Sequence, residues 1–528
     1  VRDSAPVLVI YAALADGSAG PVHMQLDDHH VLDGICTVPF SRWDSDNELV
    51  VGKPENLAPV RFGGFVKDNL DLWDMALFGI AQSEAVQVDP QQRTLLNFAV
   101  AAMIHGGETA TSVKESIRSV LIGISSSEYS SLMAKMGATI TPHTSLTGCL
   151  SVACGRISYT FGLRGPSASI DTACSSSLVC THLGNSLLNN SETDSSFAAG
   201  ITQTLVAQSF ALFQVSGMLA ADGRCKTLDQ RGDGYVRAEA CGAIQVKPMT
   251  DDADEYLLFV SGSTVNQDGR SSSLTAPNGP SQQAAIRDTI ESADLAVNQY
   301  EYLEMHGTGT ALGDPIEVGA ACAVLTSPKT KRDPLTLWAA KSAYGHAEAG
   351  AAVVGMLHAA TGLTHRHSWK MTHLQSMNAY VAETVQITKM TSAQREYNAI
   401  ASGVRDELLC SGVSSFAFQG TNAHAILGVR DGELAYSMLD RINMDRQSIW
   451  LAPRAHPLLT RGASLKHAKV NVQTLLRSVT LAYFADYRVN GKALLSATGF
   501  MELATSIARL LLSEASNSAM LATTNLSS

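Results

Sequence analysis

The chain has 528 residues, of which 45% are hydrophobic and 16% charged, with 41 Gly and 16 Pro. This composition is typical of globular proteins and excludes a disordered or coiled-coil protein. The length predicts either one large domain of two similar halves or two domains joined by linkers. The formal net charge is −11, and the sequence has no dense block of Lys or Arg. We therefore expect no nucleic-acid partner.

The first predicted element is an apolar stretch, Val7–Leu14, flanked by Asp3 and Asp16. Its eight residues are too few to cross a bilayer, which takes about 20 residues as a helix. We predict a core strand here, without a signal peptide or membrane contact. The nine cysteines form no CxxC pair. They are typical of reduced thiols and favour a cytoplasmic location.

The middle of the chain alternates between predicted strands, turns and helices, as α/β proteins do. Residues 167–171 form a predicted strand, Cys174 occupies the turn, and apolar residues then recur at helical spacing. Residues 302–305 form a second strand, which leads into a Gly- and Thr-rich loop starting at His306. Residues 335–339 form a third, followed by a loop carrying His346 and an Ala-rich helix.

Cys174 lies at the N-terminus of a predicted helix, in the run Asp-Thr-Ala-Cys-Ser-Ser-Ser. The helix dipole and the free N–H groups there favour the thiolate over the thiol. The same turn directs N–H groups at an attacked carbonyl, as an oxyanion hole requires. This position predicts a nucleophile, and the alternative is a buried, inert cysteine.

His306 and His346 each follow a predicted strand in a Gly-bearing loop, where α/β proteins collect reactive side chains. Each is a candidate acid–base or hydrogen-bonding residue, and the alternative is a structural histidine. The sequence has no HExxH or comparable ligand pair, so we predict no metal site. Lys341, five residues before His346, has the default interpretation of a solvated surface cation.

Eight motifs in chain order resemble the ketosynthase domains of modular polyketide synthases. Three of them carry the candidate residues: Asp-Thr-Ala-Cys-Ser-Ser-Ser, Glu-Met-His-Gly-Thr-Gly-Thr, and Lys-Ser-Ala-Tyr-Gly-His-Ala-Glu. The motifs occupy residues 89–93, 155–159, 171–177, 222–226, 276–279, 304–310, 341–348 and 414–424. The resemblance identifies Cys174, His306 and His346 as a catalytic triad.

The resemblance implies a thiolase-like α/β fold with duplicated αβαβα layers and a short C-terminal appendage, usually found as a homodimer. The ketosynthase domain would span residues 1–428, with an N-terminal half to about 250 and a C-terminal half from 251. A linker would follow at 429–455. A truncated dehydratase-like segment would occupy 456–512, and a disordered tail 513–528.

The implied reaction is a decarboxylative Claisen condensation in polyketide or fatty acid biosynthesis. Cys174 would accept an acyl group from the phosphopantetheine arm of an acyl carrier protein, and no cofactor would be bound. His306 and His346 would stabilise the enolate formed when a malonyl-type carrier thioester loses carbon dioxide. Because we find no acyltransferase segment between the two domains, we expect an acyltransferase acting in trans.

Two other activities remain open at this point. One is a ketosynthase homologue that serves as a transacylase or scaffold within the polyketide synthase assembly and does not elongate. The other is a thiolase-fold condensing enzyme that acts on free coenzyme A thioesters.

The resemblance also implies supporting roles for five further residues and for the backbone of Cys174. Thr308 and Thr310 would hydrogen-bond the pantetheine arm. Lys341 and Glu348 would form an ion pair that positions the His346 loop, although such a pair can also be purely structural. The N–H groups of Cys174 and Phe418 would form the oxyanion hole, with Phe418 gating the acyl pocket.

Four positions carry a larger residue where this family usually has Gly: Ala238, Ala240, Ser273 and Ala417. If these positions need a positive φ, each replacement strains the backbone by about 1 kcal/mol or more. We then expect slower catalysis, with a stiffened Phe418 loop, and a higher turnover in Ala417→Gly.

The C-terminal resemblance is to the start of a polyketide synthase dehydratase domain. It rests on residues 456–459, 484–491 and 500–504. Tyr487 stands where that family needs His, and Ser496 stands where it has Pro. We therefore expect a segment without dehydratase activity.

Overall fold

The structure is a computed structural model of the chain. It describes residues 6–13, 19–21, 33–39, 42–43, 45, 60–66, 70–105, 108–135, 138, 140–248, 258–326, 335–365, 371–387, 390–392, 409–429, 447–449, 461–466, 469–473, 488–489 and 492–493. Most of the predicted linker and dehydratase-like segment, and all of the predicted tail, lie outside these residues.

The strands of the main sheet are β1 (Pro6–Ala13), β2 (Ala19–Pro21), β6 (Arg118–Gly123), β7 (Ser167–Ile170), β8 (Ser195–Thr202), β9 (Ala240–Pro248), β10 (Leu258–Gln267), β11 (Tyr300–Glu304), β12 (Leu335–Trp338), β13 (Met390–Ser392), β14 (Leu409–Phe416) and β15 (Thr421–Val429). Smaller sheets contain β3 (Ile35–Thr37), β4 (Phe62–Gly64), β5 (Leu72–Trp73), β16 (Gln447–Ser448), β17 (Arg461–Lys466), β18 (Lys469–Gln473), β19 (Arg488–Val489) and β20 (Lys492–Ala493).

The helices are α1 (Gln82–Ala85), α2 (Pro90–His105), α3 (Ala110–Val113), α4 (Tyr129–Lys135), α5 (Thr144–Thr147), α6 (Leu150–Phe161), α7 (Ser176–Asn189), α8 (Ala207–Val215), α9 (Gly279–Ser292), α10 (Gly313–Leu325), α11 (Lys341–Tyr344), α12 (Ala351–His365) and α13 (Ala379–Ile387). Short 3-10 helices lie at Ala173–Ser175, Val297–Gln299 and Glu348–Gly350.

The strand order is duplicated within the main sheet. The N-terminal half has the order β7-β6-β8-β9-β1, and the C-terminal half has the order β12-β11-β14-β15-β10, with β13 beyond β12. In each half the first three strands are parallel and the last two are antiparallel to their neighbours. The prediction of two similar α/β halves is therefore confirmed.

The predicted first core strand is also present. β1 lies in the middle of the main sheet, between β9 and β10. Its long ladder runs with β9, from Pro6 opposite Pro248 to Ala13 opposite Cys241. A single residue pair, Val7 with Phe259, joins it to β10 and so joins the two halves.

Helices cover both faces of each half. The central layer is α7 and α12, whose buried residues include Leu178 and Leu357. The many alanines of α12 let it approach α7 and the strands closely, because they add little side-chain volume. Helices α2 and α6 form one outer layer, and helices α9 and α10 form the other. Within the described part of the chain, every helix is too short or too polar to cross a membrane.

Candidate active site

The duplicated fold brings Cys174 and His346 together from equivalent positions. Cys174 follows β7 and precedes α7, and His346 follows β12 and precedes α12. The Cys174 Sγ lies 3.1 Å from His346 Nε2. The His306 and His346 ring centroids are 5.7 Å apart, with the rings nearly perpendicular. The three residues predicted as a triad therefore share one site.

The turn that carries Cys174 is held from both halves of the fold. Ala173 has a φ of 53°, and its N–H donates to the Asp171 carboxylate at 2.9 Å. From the C-terminal half, the Ser415 hydroxyl donates to the Cys174 carbonyl oxygen at 2.7 Å. These contacts fix a backbone conformation that a non-glycine residue rarely adopts.

The prediction that Cys174 is a thiolate is wrong for the free protein. Burial raises the pKa of the Cys174 thiol to about 12, and the nearby Glu348 carboxylate adds to this effect. The Lys341 ammonium and the N–H groups of Phe418 and Cys174 lower the pKa, but they do not offset burial. The expectation was based on the helix N-terminus and did not include this loss of hydration.

His346 is held as a hydrogen-bond donor toward Cys174. The backbone N–H of Glu348 donates to His346 Nδ1 at 2.9 Å. In a neutral imidazole the other nitrogen then carries the proton, so Nε2–H faces the sulfur. Burial, the Lys341 ammonium and the Arg237 guanidinium hold the pKa of His346 well below its usual range, which keeps the ring neutral.

His306 is positioned by the carboxyl group of Glu317 beneath its loop. Glu317 accepts the backbone N–H of His306 at 2.6 Å and that of Gly307 at 2.9 Å. Asp314 accepts the N–H of Gly309 at 3.1 Å. Burial raises the pKa of Glu317 to about 8. The sequence interpretation missed Asp314 and Glu317. The signal that could have found them is their spacing of three residues, which puts both on one face of α10.

The pKa of His306 is also held well below its usual range. Burial is the main cause, and the positive charges of Lys341 and of a protonated His346 act in the same direction. Both histidines are therefore neutral near pH 7. A neutral imidazole keeps one ring N–H, which can donate a hydrogen bond to a developing negative charge.

The predicted ion pair between Lys341 and Glu348 does not form. Glu348 instead binds Arg237 through two parallel bonds, Nε to Oε1 at 2.5 Å and Nη2 to Oε2 at 3.0 Å. The planar guanidinium matches the two carboxylate oxygens, which a lysine ammonium cannot do. Lys341 is also not a surface cation, because it is buried, and among the described residues no carboxylate lies within ion-pair distance of it.

The predicted pantetheine-binding and oxyanion residues lie on loops beside the triad. The hydroxyls of Thr308 and Thr310 are 3.4 Å apart, and Thr310 Oγ1 accepts the N–H of Gly313 at the start of α10. Phe418 lies in the tight connection between β14 and β15 and is 44% exposed. Its backbone N–H and that of Cys174 both lower the pKa of the Cys174 thiol.

The four replacements of glycine do not strain the backbone, so the premise for slower catalysis is wrong. None of them is among the described non-glycine residues with a positive φ. Ala238 shows how its methyl is accommodated. A Cβ at Gly64 would lie 2.6 Å from the Ala238 Cβ, and one at Gly345 would lie 3.1 Å from it. Glycines on both neighbouring segments therefore leave the space that the Ala238 methyl fills.

The triad could in principle offer three ligands to a metal ion. The Cys174 sulfur and one ring nitrogen of each histidine lie within 4.8 Å of one another. A divalent cation there would lie near the buried ammonium of Lys341, and it would need a thiolate where burial favours the thiol. The charges around the site therefore suit neutral hydrogen-bond donors better than a metal.

Comparison with protein families gives three matches along the chain. Residues 30–252 match the N-terminal domain of β-ketoacyl synthases. Residues 257–375 match the C-terminal domain of the same enzymes. Residues 456–527 match the polyketide synthase dehydratase domain.

Curated relatives include two phenolphthiocerol/phthiocerol polyketide synthase proteins of Mycobacterium tuberculosis. One is 36% identical over 400 residues, which cover 74% of this chain and 21% of the relative. The other is 37% identical over 402 residues, which cover 75% of this chain and 25% of the relative. The chain thus spans about a quarter or less of the length of these relatives.

Solved ketosynthases share the fold. The ketosynthase from module 6 of the bacillaene synthase of Bacillus subtilis 168 has a TM-score of 0.72 and 30% identity, covering 81% of this chain and 72% of that one. The oxazolomycin ketosynthase domain of Streptomyces albus JA3453 has a TM-score of 0.73 and 26% identity, covering 81% and 74%. Together with the site, these matches show that the chain belongs to the β-ketoacyl synthase family, as a polyketide-type ketosynthase of thiolase-like fold, a class of enzyme that joins acyl units by Claisen condensation. The ketosynthase is followed by a segment that matches the polyketide synthase dehydratase domain.

Proposed function

We propose that Cys174 is the acylated nucleophile of this ketosynthase, and that His306 and His346 serve the decarboxylative condensation. The observation that carries the proposal is the 3.1 Å contact between Cys174 Sγ and His346 Nε2, with the His306 ring beside that of His346. Cys174 comes from one half of the fold, and both histidines come from the other.

In the first step the Cys174 sulfur attacks the thioester carbonyl of an acyl group on a carrier. A carbon–sulfur bond to Cys174 forms and the bond to the carrier sulfur breaks. The thiol proton leaves with the departing pantetheine thiol, so the step is balanced. The Nε2–H of His346 and the N–H groups of Cys174 and Phe418 stabilise the sulfur as it loses its proton.

In the second step a malonyl-type thioester loses carbon dioxide. The electron pair of the broken carbon–carbon bond moves onto the thioester, whose oxygen becomes an enolate. Neutral His306 and His346 act as donors to that oxygen. The enolate carbon then attacks the acyl-Cys174 carbonyl, and the Cys174 thiolate leaves and takes up a proton from solvent. The product is a β-ketoacyl thioester on the carrier.

The substrates would be carried on the phosphopantetheine arm of an acyl carrier protein, with Thr308 and Thr310 as hydrogen-bond partners of that arm. Both hydroxyls lie on the loop that also carries His306, which supports this placement. The protein itself would hold no cofactor, and an acyltransferase acting in trans would supply the malonyl-type group. In the part of the chain that the structure describes the nine cysteines form no disulfide, which is compatible with a cytoplasmic location.

We further propose a homodimer, in which β7 is part of the interface. β7 pairs with β6 on one side and forms an edge of the main sheet. An unpaired strand edge offers main-chain hydrogen bonds to a second copy. Tyr159 on the preceding helix α6 is 89% exposed. An aromatic side chain so exposed is typical of interface positions.

The test is carbon dioxide release from a malonyl carrier thioester after Cys174 has been acylated. A condensing enzyme releases carbon dioxide in step with β-ketoacyl product, and we expect both. A transacylase that does not elongate would acylate Cys174 and release none. A condensing enzyme specific for coenzyme A thioesters would react with acyl- and malonyl-coenzyme A and ignore the carriers. Either of those results would contradict the proposal.

A further inference from the structure

Arg237 lies beside the segment that carries His346, and its side-chain hydrogen bonds go to residues outside the triad. It lies next to that segment through the backbone, because the His346 N–H donates to the Val236 carbonyl and the Ala238 N–H donates to the His346 carbonyl. Its side chain is 2% exposed. A buried cation is costly unless it is well paired, so the partners of Arg237 identify its task.

The guanidinium of Arg237 is enclosed by a full set of partners. It binds both oxygens of Glu348, and Nη1 donates to the Ser209 hydroxyl at 2.6 Å. Its Nη2 lies 3.8 Å from the carboxylate of Glu128. The rings of Phe210 and Phe213 lie 4.6 and 5.0 Å from the guanidinium carbon. These contacts leave the guanidinium essentially one position, and with it the Glu348 carboxylate.

Glu348 has an unusual backbone. Its φ is 44°, in the left-handed region that costs a non-glycine residue about 1–2 kcal/mol. Such a conformation persists only where surrounding contacts impose it. It is also this backbone whose N–H donates to His346 Nδ1 at 2.9 Å. The bond that sets the His346 tautomer therefore depends on a conformation that needs external support.

We propose that Arg237 is the positioning residue that supplies this support. By binding the Glu348 carboxylate at two points, it holds the left-handed backbone of Glu348 and so keeps that N–H on His346 Nδ1. Nε2 then keeps its proton and faces Cys174 as a donor. Without the clamp the Glu348 backbone relaxes and Nδ1 can take the proton. Nε2 then becomes an acceptor, which cannot stabilise an enolate.

This inference rests on the proposed role of His346 as a donor in decarboxylation. It assigns to Arg237 the pairing with Glu348 that the family resemblance had given to Lys341. Titratable and charged groups face His346 from every side, so the test has to change geometry without changing charge. These groups are Cys174, Tyr235, Arg237, His306, Lys341 and Glu348.

The test variant is Arg237→Lys, which keeps the positive charge but cannot bind both carboxylate oxygens in one plane. We expect carbon dioxide release to fall by about tenfold or more, as for a lost transition-state donor, while Cys174 acylation stays within about threefold of the parent. The acid limb of the pH–rate profile should move to higher pH. A freed Nδ1 lone pair binds a proton more readily, which raises the pKa of His346.

Arg42→Lys is the matched control. Arg42 binds Glu239 through the same two-point geometry, Nε to Oε1 at 3.1 Å and Nη2 to Oε2 at 2.9 Å. Glu239 directs its oxygens to the N–H groups of Val66 and Thr204, away from the triad. We expect this variant to change both half-reactions equally or not at all. A purely structural role for Arg237 would give the same pattern as the control.

The tautomer of His346 is a readout independent of activity. Nitrogen NMR of ring-labelled histidine, with the His346 signal assigned by its loss in His346→Gln, should show a protonated Nε2 in the parent and a protonated Nδ1 in Arg237→Lys. An unchanged tautomer with an unchanged acid limb would overturn the inference. If Arg237→Lys does not fold, Glu348→Gln weakens the same clamp. Because Glu348→Gln also removes a charge, it is judged by the His346 tautomer alone. A parent that releases no carbon dioxide contradicts the proposed function, whereas the tautomer still decides the role of Arg237.

Discussion

The chemistry of Cys174 depends on how burial and neighbouring charge set its protonation. Burial raises the pKa of its thiol to about 12, while both neighbouring histidines stay neutral. Only the thiolate reacts with alkylating agents. The alkylation rate of Cys174 should therefore rise about tenfold per pH unit, without a plateau, between about pH 6.5 and 9.5. Peptide mass spectrometry after iodoacetamide treatment measures this rate.

The exposed thiols of Cys36 and Cys149 are internal controls for the reagent in the same samples. A plateau in the Cys174 rate near pH 7 would show a thiolate–imidazolium pair. That result would contradict the neutral site described here.

The two histidines should affect the two half-reactions unequally. In His306→Ala or His346→Ala we expect carbon dioxide release to fall by about a hundredfold or more, the usual loss for a missing transition-state donor. Cys174 acylation should persist at a substantial rate, because this step needs no enolate and the N–H groups of Cys174 and Phe418 still stabilise the sulfur. Separate assays of acyl transfer and of carbon dioxide release measure this. Equal losses in both steps, with unchanged thermal stability, would refute the division of roles.

The residues of the candidate active site were predictable from the sequence to different degrees. The motifs around Cys174, His306 and His346 predicted all three as the site, and the structure brings them together. The partner of Glu348 was predicted wrongly. Its actual partner, Arg237, is more than 100 residues away in the sequence, so only the packing of the folded chain brings the two together. The pKa of Cys174 was predicted in the wrong direction, because a local motif indicates a helix terminus but not the degree of burial.

At the scale of elements, the hairpin between β14 and β15 controls one side of the site. The Gly420 N–H donates to the Ala417 carbonyl and the Ala417 N–H donates to the Thr421 carbonyl, which closes a tight turn. Gly420 has a φ of 99° in this turn, where side chains other than hydrogen are disfavoured. This turn places the Phe418 N–H where it lowers the pKa of the Cys174 thiol.

Gly420→Ala should therefore slow Cys174 acylation several-fold and lower the free energy of unfolding by about 1–2 kcal/mol. A Cβ there would also lie 3.1 Å from the Asp268 Cβ. The matched variant in the same turn is Ala417→Gly. Because the φ of Ala417 is not positive, we expect no gain in rate and a loss of up to about 1 kcal/mol from added chain freedom. Acylation kinetics and thermal unfolding test both, and a faster Ala417→Gly would contradict this account of the turn.

The elements themselves divide into predictable and unpredictable parts. The units around Cys174 and His346 were predictable, because each joins a short apolar strand to a helix over a few tens of residues. The sequence also predicted the strand β1. Its place between β9 and β10 was not predictable, since its ladder pairs Val7 with Lys247, far away along the chain. Such pairings depend on the whole fold rather than on local pattern.

At the scale of the whole molecule, the C-terminal segment matches the polyketide synthase dehydratase domain, but we expect it to catalyse no dehydration. Tyr487 and Ser496 lie outside the described residues, so the argument is chemical. An unperturbed tyrosine titrates near pH 10, far above the range in which a general base removes a proton near pH 7. We expect no water loss from a β-hydroxyacyl carrier thioester, as monitored by mass spectrometry. Formation of the unsaturated product by the parent chain would contradict this.

The account as a whole depends on Cys174 holding the growing acyl chain. The most direct test is the mass of the intact protein after incubation with an acyl carrier thioester, before and after addition of a malonyl carrier thioester. We predict one acyl mass on the peptide containing Cys174, its loss on malonyl addition, and a β-ketoacyl product on the carrier, all three absent in Cys174→Ala. An acyl mass that persists in Cys174→Ala, or an adduct that malonyl addition does not remove, would contradict the account.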